Sequence, residues 1–223
     1  MPRITYETGA GLGVTGEDAA EFSREVDRVL ADPRGWAKYG YQFAREAGRP
    51  QLRIRLETSA AADELCGARG FSCWRPGPND IVIRLGNWMG GSASRLPIDR
   101  YRNYVINHEV GHALGLPHRK CPAAECARRG MATCPASVMQ QMTRGPEHVS
   151  PCVEADWPLD PDWGIDDPSG EARAKARAKA RAAGISLMFV AVLLVLIACL
   201  ITFGATRARC WPGARPGRQK VGF

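Results

Sequence analysis

The sequence predicts an α+β domain followed by one transmembrane helix. Three observations point there. The first 95 residues mix strand-like alternation with helical periodicity, six cysteines crowd positions 66–152, and residues 185–204 form an unbroken apolar run. The chain has 223 residues and a formal net charge of +7. Residues 1–170 carry 20 basic and 22 acidic side chains, whereas residues 171–223 carry 10 basic and 1 acidic. The positive excess therefore belongs to the C-terminal segment, which argues against a basic domain built to read DNA.

Taken in chain order, ITYET is a short strand candidate. GEDAAEFSREVDRVLAD predicts an amphipathic helix with Phe22, Val26, Val29 and Leu30 on one face, and Thr15 with Asp18 resembles a capping box. The intervening GLGVTG matches a dinucleotide-binding glycine pattern, but no alternating parallel strand–helix units are expected after it, so it reads as a turn. QLRIRLET alternates Leu52, Ile54 and Leu56 with Arg53 and Arg55, a half-buried strand. DIVIRL, residues 80–85, is a second clear strand. Six cysteines, an even number and without any CxxC pair, favour disulfides and an oxidising compartment over reduced thiols or a metal cluster.

RYRNYVINHEVGHALG reads as a helix that places His108 and His112, four residues apart, on one face. Two imidazoles so placed can ligate one metal ion, and Glu109, about 100° further round, sits beside that ion rather than on it. Gly115 can end the helix in a left-handed conformation, and Leu116-Pro117 then turns the chain to bring His118 in as the third ligand. Three neutral imidazoles with one open position are the donor set of a catalytic Zn2+ site, with Glu109 the general base and acid for a zinc-bound water. His148, the remaining histidine, reads as a surface-loop residue or a donor on the substrate side.

The pattern HExxHxxGxxH, followed 21 residues after His118 by Met139 in CPASVMQQMT, resembles the metzincin metallopeptidases. The resemblance implies a metzincin-like catalytic domain: a twisted sheet, a backing helix, an active-site helix and an irregular, disulfide-braced C-terminal part. It also implies that Met139, ahead of Met142, is the methionine under the zinc. Some metzincins have a ligating Tyr two positions after that methionine; Gln141 stands there here, so no such ligand is expected. VINHEVGHALGLPHRKC, SVMQQMT and the LCG…FSC pair further resemble a bacterial family of metzincin-like domains, largely secreted or membrane-attached, over residues 3–158. That likeness implies the pairings Cys66–Cys73, Cys121–Cys152 and Cys126–Cys134, the second bracing the loop after His118.

The expected organisation is a catalytic domain over 1–153, an acidic Pro-rich linker over 154–170 whose Trp157 and Trp163 can dock back, a basic helix over 171–184, the membrane span over 185–204 and a short basic tail over 205–223. The basic helix (Arg173, Lys175, Arg177, Lys179, Arg181) has no apolar face and suits anionic lipid headgroups, with nucleic acid a lesser alternative. Basic residues are balanced, five on each side of the span, and no secretory signal is visible at the start; the cysteines place the domain on an extracytoplasmic or virion-surface side. The expected activity is zinc-dependent hydrolysis of peptide bonds in a peptide or protein substrate. The alternative is a catalytically silent, zinc-stabilised adhesion or interaction module.

Overall fold

The structure, a computed structural model, describes residues 2–170. The basic helix, the membrane span and the tail expected beyond residue 170 lie outside the described residues; within them no helix is long and apolar enough to cross a membrane.

Alternation builds the sheet. Strands β1 (Arg3–Ala10), β2 (Gln42–Arg45), β3 (Leu52–Glu57), β4 (Cys73–Arg75) and β5 (Asp80–Arg84) line up in the order β2-β1-β3-β5-β4. Leu52, Ile54 and Leu56 point to the core, and Ile54 pairs with Ile81 and Leu56 with Ile83. Arg53 and Arg55 face away from that core, Arg53 pairing with Glu7 across to β1.

The strand directions correct one expectation. β1, β2, β3 and β5 all run parallel, and only β4 is antiparallel. GLGVTG therefore does connect a parallel strand to a helix. Its Gly11 N–H nevertheless bonds Leu56 O at 2.9 Å, and the buried Glu57 carboxylate packs against Gly11. A carboxylate at that position repels a phosphate, so the loop serves packing.

Helix α1 (Gly16–Ala31) buries Phe22, Val26, Val29 and Leu30. Thr15 caps it, accepting from the Asp18 N–H at 3.1 Å. The box is half formed, because the Asp18 carboxylate takes the Thr15 hydroxyl instead of the capping residue's own N–H. Helix α2 (Ser59–Cys66) packs on β5, and the short α3 (Leu85–Gly90) carries Trp88 edge-on to Phe22, with ring centroids 5.0 Å apart. Helix α4 (Ile98–Ala113) lies against α1, α3, β4 and β5.

Beyond α4 the chain forms α5 (Ala123–Arg128), short 3-10 turns and an isolated bridge between Pro135 and Val153. Disulfides Cys121–Cys152 and Cys126–Cys134 tie this part together, and Cys66–Cys73 closes the loop before β4. Cys134 Sγ lies 3.3 Å from Cys152 Sγ, which brings three sulfurs into one cluster, but all three are disulfide-bonded and so lack the thiolate charge of metal ligands.

Residues 154–170 differ from the extended linker that their acidity and prolines predict. Asp156, Leu159 and Asp166 are buried, and Trp157 packs against the core under Arg34. Trp163 lies beneath Arg129 at 4.4 Å. The domain therefore continues to the end of the described residues.

Candidate metal centre

Helix α4 is buried on nearly every side from Tyr101 to Gly111, so each polar group on it must find a partner. Asn103 Nδ2 donates to Asp156 Oδ2 at 2.9 Å, and Asn107 Nδ2 to the Asp156 carbonyl at 3.1 Å. The Tyr104 hydroxyl donates to Gln140 O and accepts from the Met142 N–H, both at 3.0 Å. These contacts clamp the helix to Asp156 and to the segment that carries Met139.

His108 Nδ1 lies 2.8 Å from Val138 O, and His112 Nδ1 lies 2.8 Å from Leu116 O. A carbonyl only accepts, so both Nδ1 atoms carry the proton and both Nε2 atoms keep a free lone pair. The helix ends as the glycine predicts: Gly115 adopts φ +97°, its N–H bonds His112 O at 2.8 Å, and Leu116 N–H reaches back to Gly111 O at 2.9 Å. The chain then returns His118 to the two helical histidines. His112 Nε2 and His118 Nε2 are 3.2 Å apart, and ring centroids are separated by 4.7 Å (His108–His112), 4.7 Å (His112–His118) and 5.3 Å (His108–His118). The three imidazoles could hold one metal ion.

Burial suits them to that. It lowers the His108 imidazole to about 3 and His118 to about 4, with neighbouring histidines adding to both and Arg144 to the latter; His112 is lowered by burial as well. All three are neutral near pH 7, the form in which imidazole ligates. Glu109, beside them, accepts from the Trp74 backbone N–H, but burial still pushes its carboxyl up to about 8. Its Oε2 is buried without a hydrogen-bond partner, as is Asn107 Oδ1; of the two residues, only Glu109 lines the open cleft. That cleft, about 460 Å³, is walled by Phe71, Trp74, His112, His118 and Arg144.

Under the helix, a Cβ on Gly111 would come within 2.3 Å of Met139 Sδ and 2.9 Å of Trp36, so glycine permits the closest approach of α4 to the fully buried Met139. Met142 is equally buried but bonds through its N–H to Tyr104. Gln141 lines the cleft, while His148 is exposed beside Glu147 and stands apart from the histidine group.

Sequence reasoning missed Asp166 altogether. Its carboxylate receives the Ser137 hydroxyl, the Val138 N–H at 3.3 Å and the Leu159 N–H at 2.9 Å. The residue whose N–H it holds, Val138, is the one whose carbonyl holds His108. Asp156, paired with Arg100 at 2.7 Å, was missed likewise. Both sit in an acidic stretch where no local pattern separates a buried acceptor from a solvated charge.

No curated protein matches this sequence. The model of one family matches residues 3–172, from the first strand past the last described residue. The chain belongs to the family described as "Protein of unknown function (DUF3152)".

Proposed function

We propose that this chain is a zinc-dependent endopeptidase of metzincin type, attached to a membrane by residues 185–204. The observation that carries the reading is one constellation: three neutral imidazoles with converging nitrogens, an unpartnered Glu109 oxygen in the adjoining cleft, and Met139 packed beneath. Two imidazole nitrogens on one tetrahedral zinc lie about 3.3 Å apart, and the 3.2 Å between His112 Nε2 and His118 Nε2 fits that requirement.

His108, His112 and His118 would hold the ion. Zinc held there supplies Lewis acidity, polarising a peptide carbonyl and acidifying water. The chain's own residues do the rest. Glu109 Oε2 takes the proton of the attacking water and passes it to the departing amine nitrogen. The Trp74 N–H fixes the carboxylate in position. Val138 O and Leu116 O fix the ring orientations of His108 and His112.

The test uses the full chain in detergent, with zinc quantified and a broad peptide library digested. One zinc per chain and cleavage are expected, and Glu109→Gln should reduce cleavage by about 10²–10⁴-fold while keeping the metal. Absence of zinc from the folded, oxidised protein defeats the reading. Zinc without cleavage of any peptide leaves the interaction module in its place.

A further inference from the structure

The cleft has a second wall that the hydrolytic reading leaves unused. The disulfide loop Cys66–Cys73 presents Phe71, and opposite it the 3-10 turn Met142–Arg144 presents Arg144, whose guanidinium carbon lies 4.8 Å from the Phe71 ring centroid. A ring under a guanidinium restrains its position but leaves its N–H edges able to donate. Among the described residues Arg144 makes no ion pair, whereas Arg100, Arg102 and Arg129 each reach a carboxylate within 2.7 Å. Gln141 joins this cleft to a neighbouring hollow of about 440 Å³ lined by Arg119, Lys120 and His148. Of the carboxylates nearby, Glu109 is already engaged by the Trp74 N–H, the exposed Glu147 lies beside His148, and the buried Asp166 interacts with Arg119. The cleft itself therefore presents one stacked arginine, Arg144, on the side away from the sheet.

We propose that Arg144 is a specificity-determining residue that receives a substrate carboxylate, either an Asp or Glu side chain near the scissile bond or a free C-terminal carboxylate. The proposal rests on the hydrolytic reading above and names the substrate class of that site. Guanidinium and carboxylate pair through two parallel charge-assisted bonds, a geometry that an amide of the same shape does not reproduce.

The experiment compares matched peptides on the zinc-loaded full chain: Glu against Gln at each position around the cleaved bond, and free against amidated C-terminus. The expected result is kcat/KM higher by about 10–100-fold for one carboxylate member. The pair that discriminates identifies which carboxylate is bound. Arg144→Ala should bring the ratio close to one, Arg144→Lys should keep part of it, and Arg144→Glu should favour a Lys-containing peptide. Cleavage without carboxylate discrimination, or discrimination unchanged in Arg144→Ala, overturns the proposal while leaving hydrolysis standing. If no peptide is cleaved, fluorescence anisotropy of labelled peptides on the Glu109→Gln chain decides. Tighter binding of the carboxylate peptide, lost on adding Arg144→Ala, upholds the subsite without the hydrolytic reading; equal affinities overturn it.

Discussion

The two sides of helix α4 are built on different principles. Before it, residues 3–90 form a ladder of strands with helices packed on them, and apolar contacts such as Ile54 against Ile81 hold it. After it, residues 114–170 contain the six-residue α5, a few short turns and a helical stretch at 168–170, held by two disulfides and by the buried acceptors Asp156 and Asp166. The first side supplies Trp74 and Phe71 to the cleft; the second supplies His118, Gln141 and Arg144, with Met139 buried beneath α4. The contrast separates two jobs. A periodic apolar ladder gives stability without regard to any one loop, whereas side chain-to-backbone bonds place individual residues of an irregular loop.

The largest expected effects break the two sides separately. Ile54→Ala empties a fully buried site and should cost about 2–5 kcal/mol, read as a lower urea midpoint, with zinc affinity of the folded protein unchanged. Asp166→Ala strands the Ser137 hydroxyl and the Val138 and Leu159 N–H groups. At about 1–3 kcal/mol for each buried donor left unpaired, its cost is comparable, but zinc affinity should also fall by about 10–100-fold through the Val138–His108 contact. Chelator competition measures this. Equal zinc affinity in both variants would mean the irregular side does not position the site.

The same contrast explains what could be read in the sequence. Helix α1 and strands β3 and β5 announce themselves because their periodicity is local: Phe22, Val26, Val29 and Leu30 repeat on one face, and Leu52, Ile54 and Leu56 alternate. The histidine set is legible for a related reason, since a helix and a glycine-ended turn bring three imidazoles together within eleven residues. Strand β2, only Gln42–Arg45, was not visible, and the parallel direction of β1, β2 and β3 depends on partners distant in the chain. Residues 154–170 misled because composition counts charges and not their partners. Asp166 reads as solvated until Ser137, 29 positions earlier, is found donating to it.

Gly111→Ala probes the seam where helix and methionine meet. The added methyl overlaps Met139 Sδ and the Trp36 ring, so overpacking should cost about 1–3 kcal/mol. Because His108 and His112 flank this position, zinc affinity should fall with stability. A variant that loses stability but keeps its zinc affinity would show that the seam supports the fold without shaping the site.

A pH-dependent effect concerns Glu109, a buried carboxylate that touches the ladder side through the Trp74 N–H while facing the histidines. In metal-free protein burial raises its carboxyl from the ordinary 4.5 to about 8. A raised folded value means that the native state binds the proton more tightly than the unfolded one. The resulting stability is complete below about pH 4.5 and is lost as pH rises through about 8. Relative to Glu109→Gln, the metal-free wild type should therefore weaken across that window by up to about 1.4 kcal/mol per pH unit. His108 and Asp166, shifted in both proteins alike, cancel in the difference. Thermal melts with chelator, run at half-unit pH intervals, would reveal the divergence. Parallel curves would show that Glu109 ionises in place at no cost. Adding zinc should shrink the divergence, since a nearby dication favours the carboxylate, and that reversal would tie the charge of Glu109 to the three imidazoles beside it.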